Sequence, residues 1–266
     1  MRRLADLMSL NGRVALITGG AGHIGRAAAA ALAELGCRLV LVDLPAAVPD
    51  SAAKDVQQRY GMECVGLACD LEDSDAIREI PGRIDHFAGR LDILINCAAL
   101  VGTSQLKGWS VPFPEQKEAA WRKTLDINLT APFLLSQLLS PALELSGHGS
   151  IINMASIYGI AAPDWSLYNE TQIGNPAAYA ASKAGLLQLT RWLAATLAPR
   201  VRVNAITPGG ILRGQPSSFI EKYEKRTPLA RLGREEDLLG AIAYLASDLS
   251  EYVTGHNLIV DGGWTV

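Results

Sequence analysis

Short apolar runs alternate with longer stretches of helical periodicity along nearly the whole chain. The runs are bounded by turn residues, as in buried strands, whereas the stretches between them space their apolar residues as an amphipathic helix does. The predicted strands are 14–18, 39–42, 64–68, 91–95, 150–154, 201–206 and 258–260. The predicted helices are 24–35, 52–60, 75–88, 119–145 with an interruption near Pro132, 176–197 and 235–246. This alternation predicts an α/β fold with a doubly wound, mostly parallel seven-stranded sheet and helices on both faces.

The alternation continues without a linker, repeat or low-complexity tract, so a single domain over residues 1–266 is expected. Three irregular stretches interrupt it, near 100–115, 157–175 and 207–230. Long loops in a compact domain are usually functional or mobile. These three stretches are therefore candidates for functional or mobile loops.

Composition excludes several classes of protein. The formal net charge is −3 and no basic cluster stands out, which argues against a nucleic-acid partner. No run approaches the roughly 18 apolar residues of a membrane span, and the first residues lack a signal-peptide core, so a cytoplasmic protein without a membrane partner is expected. The four cysteines have no histidine at zinc-ligand spacing, and no metal is predicted.

A glycine-rich turn lies between the first strand and the first long helix. It reads Thr-Gly-Gly-Ala-Gly-His-Ile-Gly over residues 18–25. Glycine lets the backbone approach a pyrophosphate closely, and the N-terminus of the following helix offers free N–H groups. The turn predicts a dinucleotide cofactor contacted by Gly19, Gly22, His23, Ile24 and Gly25.

Asp43 ends the second predicted strand. A carboxylate there accepts hydrogen bonds from ribose hydroxyls and repels a 2′-phosphate. Leu44 and Pro45 follow, so no adjacent arginine or lysine offers a phosphate partner. The sequence predicts NAD as cofactor; the alternative is that Asp43 only ends the strand or caps the next helix.

Tyr179 and Lys183 are spaced to share one face of the helix predicted at 176–197. A nearby ammonium favours the phenolate and lowers the phenol pKa, so the pair would exchange a proton with a substrate oxygen near neutral pH. Tyrosine and lysine four residues apart also occur on ordinary helix faces. Tyr158 and Tyr168 could compete for this role, but neither has a lysine four residues later.

Several motifs in a fixed order carry a family resemblance along nearly the whole chain. They are Thr18–Gly25, Asp70-Leu71, Asn96-Cys97-Ala98-Ala99, Asn128 in Asp-Ile-Asn-Leu-Thr, Ser156 in Asn-Met-Ala-Ser-Ile-Tyr-Gly, Tyr179 with Lys183, Pro208-Gly209 and the closing Tyr252 to Gly263. The sequence resembles the short-chain dehydrogenase/reductases, in their compact branch. The resemblance implies a Rossmann-like fold and a hydride transfer between a nicotinamide and an alcohol or ketone.

The resemblance also implies roles for single residues. Tyr179 would be the general acid/base, Ser156 would hold the substrate oxygen, and Lys183 would bind the nicotinamide ribose. Asn128 would hold a water that links Lys183 to solvent. The remaining implied cofactor contacts are Asp70 and Leu71 near the adenine, Asn96 and Ala98 near the ribose, and Pro208, Gly209 and Ile211 near the nicotinamide. Read without the family, Ser156 is a turn residue at a strand end and Asn128 a kink residue within a helix.

The chain departs from the family pattern at three places. His23 stands where the family has the middle glycine of the phosphate turn, so it could narrow the site, donate to the pyrophosphate or point away. Cys97 and Ala99 replace the usual residues after the fourth strand. The segment between Ser156 and Tyr179 is longer than usual.

The lengthened segment bears on the substrate. It contains Trp165, Tyr168, Glu170 and Gln172 between two residues of the implied site. Aromatic, amide and acid groups suit a polyhydroxy ligand, so Trp165 and Tyr168 join Ser156 as candidate substrate residues and a sugar or sugar derivative is the candidate substrate. The alternative is an ordered surface loop or subunit contact.

Two rival functions remain to be tested. A 3-oxoacyl-(acyl carrier protein) reductase on the same fold would prefer NADPH, against which Asp43 argues. A non-catalytic dinucleotide sensor or scaffold would be expected to lose Ser156, Tyr179 or Lys183, and all three are present. The resemblance further implies a homotetramer, or a homodimer, built through the helices at 119–145 and 176–197 and the last strand.

Overall fold

Seven parallel strands form the central sheet. The structure is a computed structural model that describes residues 1–101, 104, 106–169, 171 and 173–266. The strands are β1 (Val14–Thr18), β2 (Arg38–Asp43), β3 (Cys64–Ala68), β4 (Ile93–Asn96), β5 (Gly149–Met154), β6 (Val201–Pro208) and β7 (Asn257–Val260). Their order is β3-β2-β1-β4-β5-β6-β7, and every neighbouring pair is parallel. The predicted fold class is confirmed.

Ten α-helices lie in the described part of the chain. They are α1 (Leu4–Met8), α2 (His23–Glu34), α3 (Pro49–Tyr60), α4 (Ser74–Arg78), α5 (Ile80–Phe87), α6 (Glu118–Leu125), α7 (Ala131–Ser146), α8 (Ala177–Leu197), α9 (Ser217–Arg226) and α10 (Leu239–Ala246). None of the helices in this part is long and apolar enough to cross a membrane.

Both faces of the sheet are covered by helices. Alternate residues of β1 point in opposite directions, as the period of a strand requires. Ala15 and Ile17 pack with residues of α2, α3 and α10, whereas Val14 and Leu16 pack with residues of α4, α5, α7 and α8. Strands buried on both faces read as continuous apolar runs, which is why the sequence revealed them.

Several helix boundaries differ from the prediction. The helix predicted at 75–88 is divided at Glu79, and Pro81 lies in the first turn of the second piece, where its missing N–H costs nothing. The interruption predicted near Pro132 is a π-helical turn, Asp126–Thr130, that ends just before α7. The helix predicted at 235–246 begins as a 3₁₀ turn, and α10 follows it.

Helices α1 and α9 were not predicted. Most residues of α9 are charged or polar, so its apolar pattern is weak in the sequence. Its two buried aromatic side chains, Phe219 and Tyr223, lie one helical turn apart and pack into a separate, mostly aromatic cluster. Its ten residues lie within the stretch 207–230, which the sequence identified only as irregular.

The strand order places a crevice at one edge of the sheet. The chain runs outward from β1 through β2 to β3, then crosses to β4 on the other side of β1 and continues to β7. At such a switch point the loops after neighbouring strands separate, and ligands bind beyond the carboxyl ends of the strands. The candidate site residues lie at the end of β2 and in the segments after β1, β3, β4, β5 and β6.

Candidate active site

The glycines of the turn between β1 and α2 are required by the packing around them. A Cβ on Gly25 would lie 2.0 Å from the carbonyl oxygen of Gly19. Gly19 has φ +65°, and a Cβ there would lie 2.9 Å from the Cα of Ala98. The helix begins at His23 with Gly22 at its N-cap and no capping side chain, so its first turn can present N–H groups to an anion.

A cavity of about 360 Å³ lies against this turn. The predicted cofactor residues that line it are Gly19, Gly22, His23, Ile24, Gly25, Asp43, Asp70, Leu71 and Ala98. The Asp43 carboxylate is oriented by two backbone donors, the N–H of Ala21 at 3.0 Å and the N–H of Leu44 at 2.8 Å. The cavity therefore combines an anion-binding turn with a fixed carboxylate, and a dinucleotide fits this donor and acceptor set.

Asn96 lies beneath the cavity rather than in its wall. Its side chain is buried, and Nδ2 donates to Oδ1 of Asn153 at 2.8 Å. Asn153 in turn donates to Oγ1 of Thr190 on α8 at 2.9 Å. This chain of hydrogen bonds joins β4, β5 and α8, so Asn96 positions the site from below.

Thr18 fixes the turn after β4, where the sequence departs from the family. Its Oγ1 accepts from the N–H of Cys97 at 3.0 Å and of Ala98 at 3.2 Å. Cys97 and Ala99 both line the cofactor cavity, and burial raises the pKa of the Cys97 thiol to about 11. The altered turn keeps its backbone in place through Thr18.

A second cavity of about 560 Å³ lies beside the first. Ser156 and Tyr179 line it, together with Tyr158 and Tyr168. The other predicted residues in its wall are Pro208, Gly209 and Ile211, which follow β6. The two cavities share four lining residues: His23, Ile24, Val101 and Arg213. The phosphate turn and the Ser156–Tyr179 pair thus face one continuous cleft.

Lys183 lies behind Tyr179 on the same face of α8. Its Nζ is 5.9 Å from the centre of the Tyr179 ring and donates to the carbonyl oxygen of Met154 at 2.6 Å. Lys183 is 3% exposed, and burial lowers its pKa to about 8. The predicted pairing of the two side chains on one helix face is present.

The direction of the Tyr179 pKa differs from the expectation. Burial raises the pKa of Tyr179, and this effect exceeds the lowering by the hydrogen bond to Ser156 and by the charge of Arg213. The ammonium of Lys183, which donates to the Met154 carbonyl and lies 5.9 Å from the ring centre, does not offset the burial. The phenol is therefore protonated at neutral pH in the ligand-free chain, contrary to the lowered pKa that the spacing suggested.

The rival tyrosines engage one another. The hydroxyl oxygens of Tyr158 and Tyr168 are 2.6 Å apart, and burial raises the pKa of Tyr168 to about 12. Burial also raises the pKa of Tyr158. With their pKa values raised, both phenols are neutral at neutral pH and line the cavity as uncharged groups.

Asn128 occupies the π-helical turn between α6 and α7 and is fully buried. Its Oδ1 accepts from the N–H of Leu100 at 2.8 Å, and its Nδ2 donates to the carbonyl oxygen of Leu100 and to Oγ of Ser182, both at 3.1 Å. The side chain ties the segment after β4 to α8. It is a kink residue, as one reading of the sequence held, and the water relay stays a prediction.

His23 lies at the rim shared by both cavities. Its side chain is 69% exposed, and Nδ1 is 3.7 Å from Glu235, which also accepts from Nε of Arg213 at 3.0 Å. Sequence reasoning missed Arg213, because it stands in an irregular segment without periodicity or motif. The pair places two basic side chains over the cleft beside the phosphate turn.

The second cavity, which Ser156 and Tyr179 line, is the catalytic cavity. The lengthened segment between these two residues lies only partly in it. Tyr168 lines it, but Trp165 is 57% exposed and lines a neighbouring groove with Phe113. Glu170 and Gln172 lie outside the described residues. Asn175, which the sequence did not single out, lines both spaces.

Comparison with known proteins decides the family. The family model for enoyl-(acyl carrier protein) reductase matches residues 19–265. The chain is 33% identical to the 3-oxoacyl-(acyl carrier protein) reductase FabG of Thermotoga maritima, over 97% of this chain and 100% of that protein. The chain belongs to the short-chain dehydrogenase/reductase family. The family predicted from the motifs is confirmed.

Other relatives act on polyols. D-threitol dehydrogenase of Mycolicibacterium smegmatis is 33% identical over 97% of this chain and 94% of that protein. The structure of a short-chain dehydrogenase from Leptospira borgpetersenii with bound NAD⁺ has a TM-score of 0.85 and 34% identity, covering 100% of this chain and 97% of that one. The chain is an oxidoreductase that acts on a CH–OH group of a small molecule with a dinucleotide cofactor. The predicted enzyme class is confirmed.

Proposed function

We propose that the chain is an NAD-dependent dehydrogenase that interconverts a hydroxyl group and a ketone on a sugar, a polyol or a sugar derivative. The observation that carries the proposal is the shared boundary of the two cavities: Asp43 and the glycine turn line one, and Ser156 and Tyr179 line the other. A dinucleotide lying along the first would bring its nicotinamide to the second.

Ser156, Tyr179 and Lys183 have different roles in the proton transfer. A bound dinucleotide would supply the hydride acceptor in one direction and the donor in the other. Ser156 and Tyr179 line the same cavity, and their hydroxyl groups would hold the substrate oxygen. Tyr179, protonated because burial raises its pKa, gives its proton to that oxygen during ketone reduction. Lys183 lies behind it and compensates negative charge as the proton leaves.

The preference for NAD rests on Asp43. Two backbone N–H groups hold its carboxylate in the wall of the cofactor cavity, where its charge opposes a 2′-phosphate. Arg26, on the first turn of α2, donates to the carboxylate of Asp55 at 2.8 Å and to the carbonyl oxygen of Ala21 at 2.9 Å. Its guanidinium group is therefore already paired within the protein, rather than held ready for a 2′-phosphate. A relative named NAD-dependent glycerol dehydrogenase, from Listeria innocua, supports the same cofactor at 31% identity.

The preference for a polyhydroxy substrate rests on the cavity wall. Hydroxyl groups of Ser156, Tyr158 and Tyr168 and the amide of Asn175 line it. Such groups pair with hydroxyls of a sugar or polyol, while the aromatic rings pack on its carbon faces. A relative that acts on D-threitol supports this class.

The rival function is reduction of a 3-oxoacyl thioester, which the FabG relative favours. Purified protein assayed with NAD(H) and NADP(H) against sugar alcohols, keto sugars and β-ketoacyl thioesters separates the two. We expect polyol or keto-sugar turnover with NAD(H), at least tenfold more efficient than with NADP(H). Turnover confined to β-ketoacyl thioesters with NADPH would reject the proposal.

We also propose the homotetramer that the resemblance implies, in the cytoplasm. Large apolar side chains are exposed on the helices that would form its interface: Trp121 on α6, Phe133 on α7 and Trp192 on α8 are 40%, 38% and 56% exposed. Exposed apolar surface of this kind favours burial against another copy. Sedimentation at micromolar concentration tests it, and a monomer would contradict it.

A further inference from the structure

The side-chain amide of Asn175 is buried without a partner among the described residues. The residue is 5% exposed, and within this part of the chain neither Oδ1 nor Nδ2 has a hydrogen-bond partner. Among the described residues, 1–101, 104, 106–169, 171 and 173–266, no other side chain leaves two buried polar atoms unpaired. Burying an amide without compensation destabilises the folded chain, so this arrangement needs a reason outside the protein's own packing.

The position of Asn175 relative to Tyr179 is well defined. Asn175 lines the catalytic cavity with Ser156 and Tyr179. The next residues are anchored, because the carbonyl oxygen of Pro176 accepts from the N–H of Tyr179 at 3.0 Å and Oε1 of Gln116 accepts from the N–H of Ala177 at 3.1 Å. The unpaired amide is therefore held at the start of the helix that carries the acid/base.

Three other polar side chains of the cavity already have a hydrogen-bond partner within the chain. The hydroxyls of Tyr158 and Tyr168 form a hydrogen bond with one another. The side-chain amide of Gln215 accepts from the N–H of Arg213 and donates to the carbonyl oxygen of Ile211. Asn175 differs in offering both a donor and an acceptor. A hydroxyl group is also both donor and acceptor, and a neutral amide gives no charge to attract a carboxylate or phosphate.

We propose that Asn175 is a specificity-determining residue that hydrogen-bonds a second hydroxyl of the substrate, on a carbon close to the reacting one. This inference rests on the proposed function and narrows its substrate class to hydroxy ketones and polyols. A site built to bond a hydroxyl rejects the analogue that lacks it, because the buried polar group is then left unpaired.

The test compares three ketones that differ in one hydroxyl: 3-hydroxy-2-butanone, 4-hydroxy-2-butanone and 2-butanone, reduced with whichever of NADH and NADPH supports turnover. For the wild-type chain we expect kcat/KM to be at least tenfold higher for one hydroxy ketone than for 2-butanone. The better of the two hydroxy ketones reports how far the second hydroxyl lies from the carbonyl. In Asn175→Leu that ratio should fall to within about twofold of one.

Thermal unfolding separates this role from a structural one. Asn175→Leu replaces an unpartnered amide with an apolar side chain of similar size, so its melting temperature should equal or exceed that of the wild type. The control is Gln58→Leu, which removes an exposed amide on α3 and should leave the ketone ratio unchanged.

Three outcomes would overturn the inference: a wild-type chain without hydroxy-ketone preference, an equal loss on all three ketones in Asn175→Leu, or a lower melting temperature with the ratio unchanged. Failure of the wild type to reduce any of these ketones or the keto sugars with either cofactor is a different result. It would reject the proposed function, and the role of Asn175 with it.

Discussion

The cofactor side and the substrate side of the cleft are built by different means. The cofactor side is a backbone structure: Gly19 and Gly25 are in contact with main-chain atoms, and Asp43 is oriented by two main-chain N–H groups. The substrate side is a side-chain structure, in which Tyr158, Tyr168 and Asn175 form the wall. The backbone path of the loops on the substrate side cannot be predicted from a glycine pattern like that of the phosphate turn.

This contrast has a chemical basis. A dinucleotide presents the same phosphates and ribose to every enzyme that binds it, so one backbone geometry serves all of them. A substrate is distinguished by the arrangement of a few polar groups, which side chains on irregular segments supply. The comparison predicts that changes on the two sides will affect different kinetic constants.

The largest effect is expected at the junction of the two sides. Tyr179→Phe removes the proton donor but keeps the ring, so turnover should fall about 10³-fold while the dissociation constant for NADH stays within about threefold. Steady-state kinetics and a fluorescence titration with NADH measure the two quantities. Tyr158→Phe is the matched control: it removes a hydroxyl of the cavity wall but not the proton donor, so KM should rise as in Tyr168→Phe while kcat stays within about threefold of the wild type. Retained activity in Tyr179→Phe would remove it from the acid/base role.

The next effect belongs to the cofactor side. Gly25→Ala places a Cβ 2.0 Å from the carbonyl oxygen of Gly19, so the turn must open and the affinity for NADH should fall about 100-fold. Gly240→Ala is the control, since no atom lies within 4 Å of a Cβ there and alanine favours the helix α10. Calorimetric titration of NADH measures both variants. Equal affinities would contradict the close-packed turn.

The charge of Asp43 should control the choice of cofactor. Asp43→Asn keeps an acceptor for the ribose but removes the charge that opposes a 2′-phosphate, so the ratio of kcat/KM for NAD over NADP should fall about tenfold. Asp85→Asn, an exposed change on α5 with the same loss of charge, should leave the ratio unchanged. A wild-type preference for NADP would already contradict the assignment.

The pH dependence tests the charge behind Tyr179. The pKa of Lys183 lies at about 8, below its ordinary value of 10.5, so Lys183 loses its charge as the pH rises through about 8. Above that pH, the rate of ketone reduction should fall up to tenfold per pH unit. Between about pH 8 and 10.5 the unfolded chain binds a proton that the folded chain has released, so this group makes stability rise with pH. Lys183→Met should remove that rise in stability and most of the activity. Rate profiles and thermal unfolding from pH 7 to 10 measure both.

The smallest effect should separate two residues of the lengthened segment. Tyr168→Phe removes a hydroxyl in the cavity wall that we propose pairs with the substrate; one such hydrogen bond is worth about 1 kcal/mol, so KM for a polyol substrate should rise about fivefold. Trp165→Ala alters an exposed side chain outside the catalytic cavity and should change KM less than twofold. Equal effects of the two variants would place Trp165 on the substrate after all.

Local patterns were sufficient for the parts of the fold that depend on them. Continuous apolar strands, a proline in a first helical turn and a glycine turn before a helix each have a local physical cause, so the sheet, most helices and the phosphate turn were predicted. Helix α9 was missed because its buried residues, Phe219 and Tyr223, are few among charged neighbours. The interruption of the helix at 119–145 was predicted, but its π-helical form at Asn128 was not, because the side-chain bonds of Asn128 reach segments distant in sequence.

The sequence alone determined which chemical groups are available: an anion-binding turn, a carboxylate at the end of β2, and a tyrosine and a lysine on one helix face. Tertiary structure decided how those groups behave. Burial raises the pKa of Tyr179. The packing of the chain places Asn96 beneath the cofactor cavity and Trp165 outside the catalytic cavity, and it leaves the amide of Asn175 without a partner among the described residues. Desolvation and hydrogen-bond pairing depend on which distant segments meet, and no local spacing contains that information.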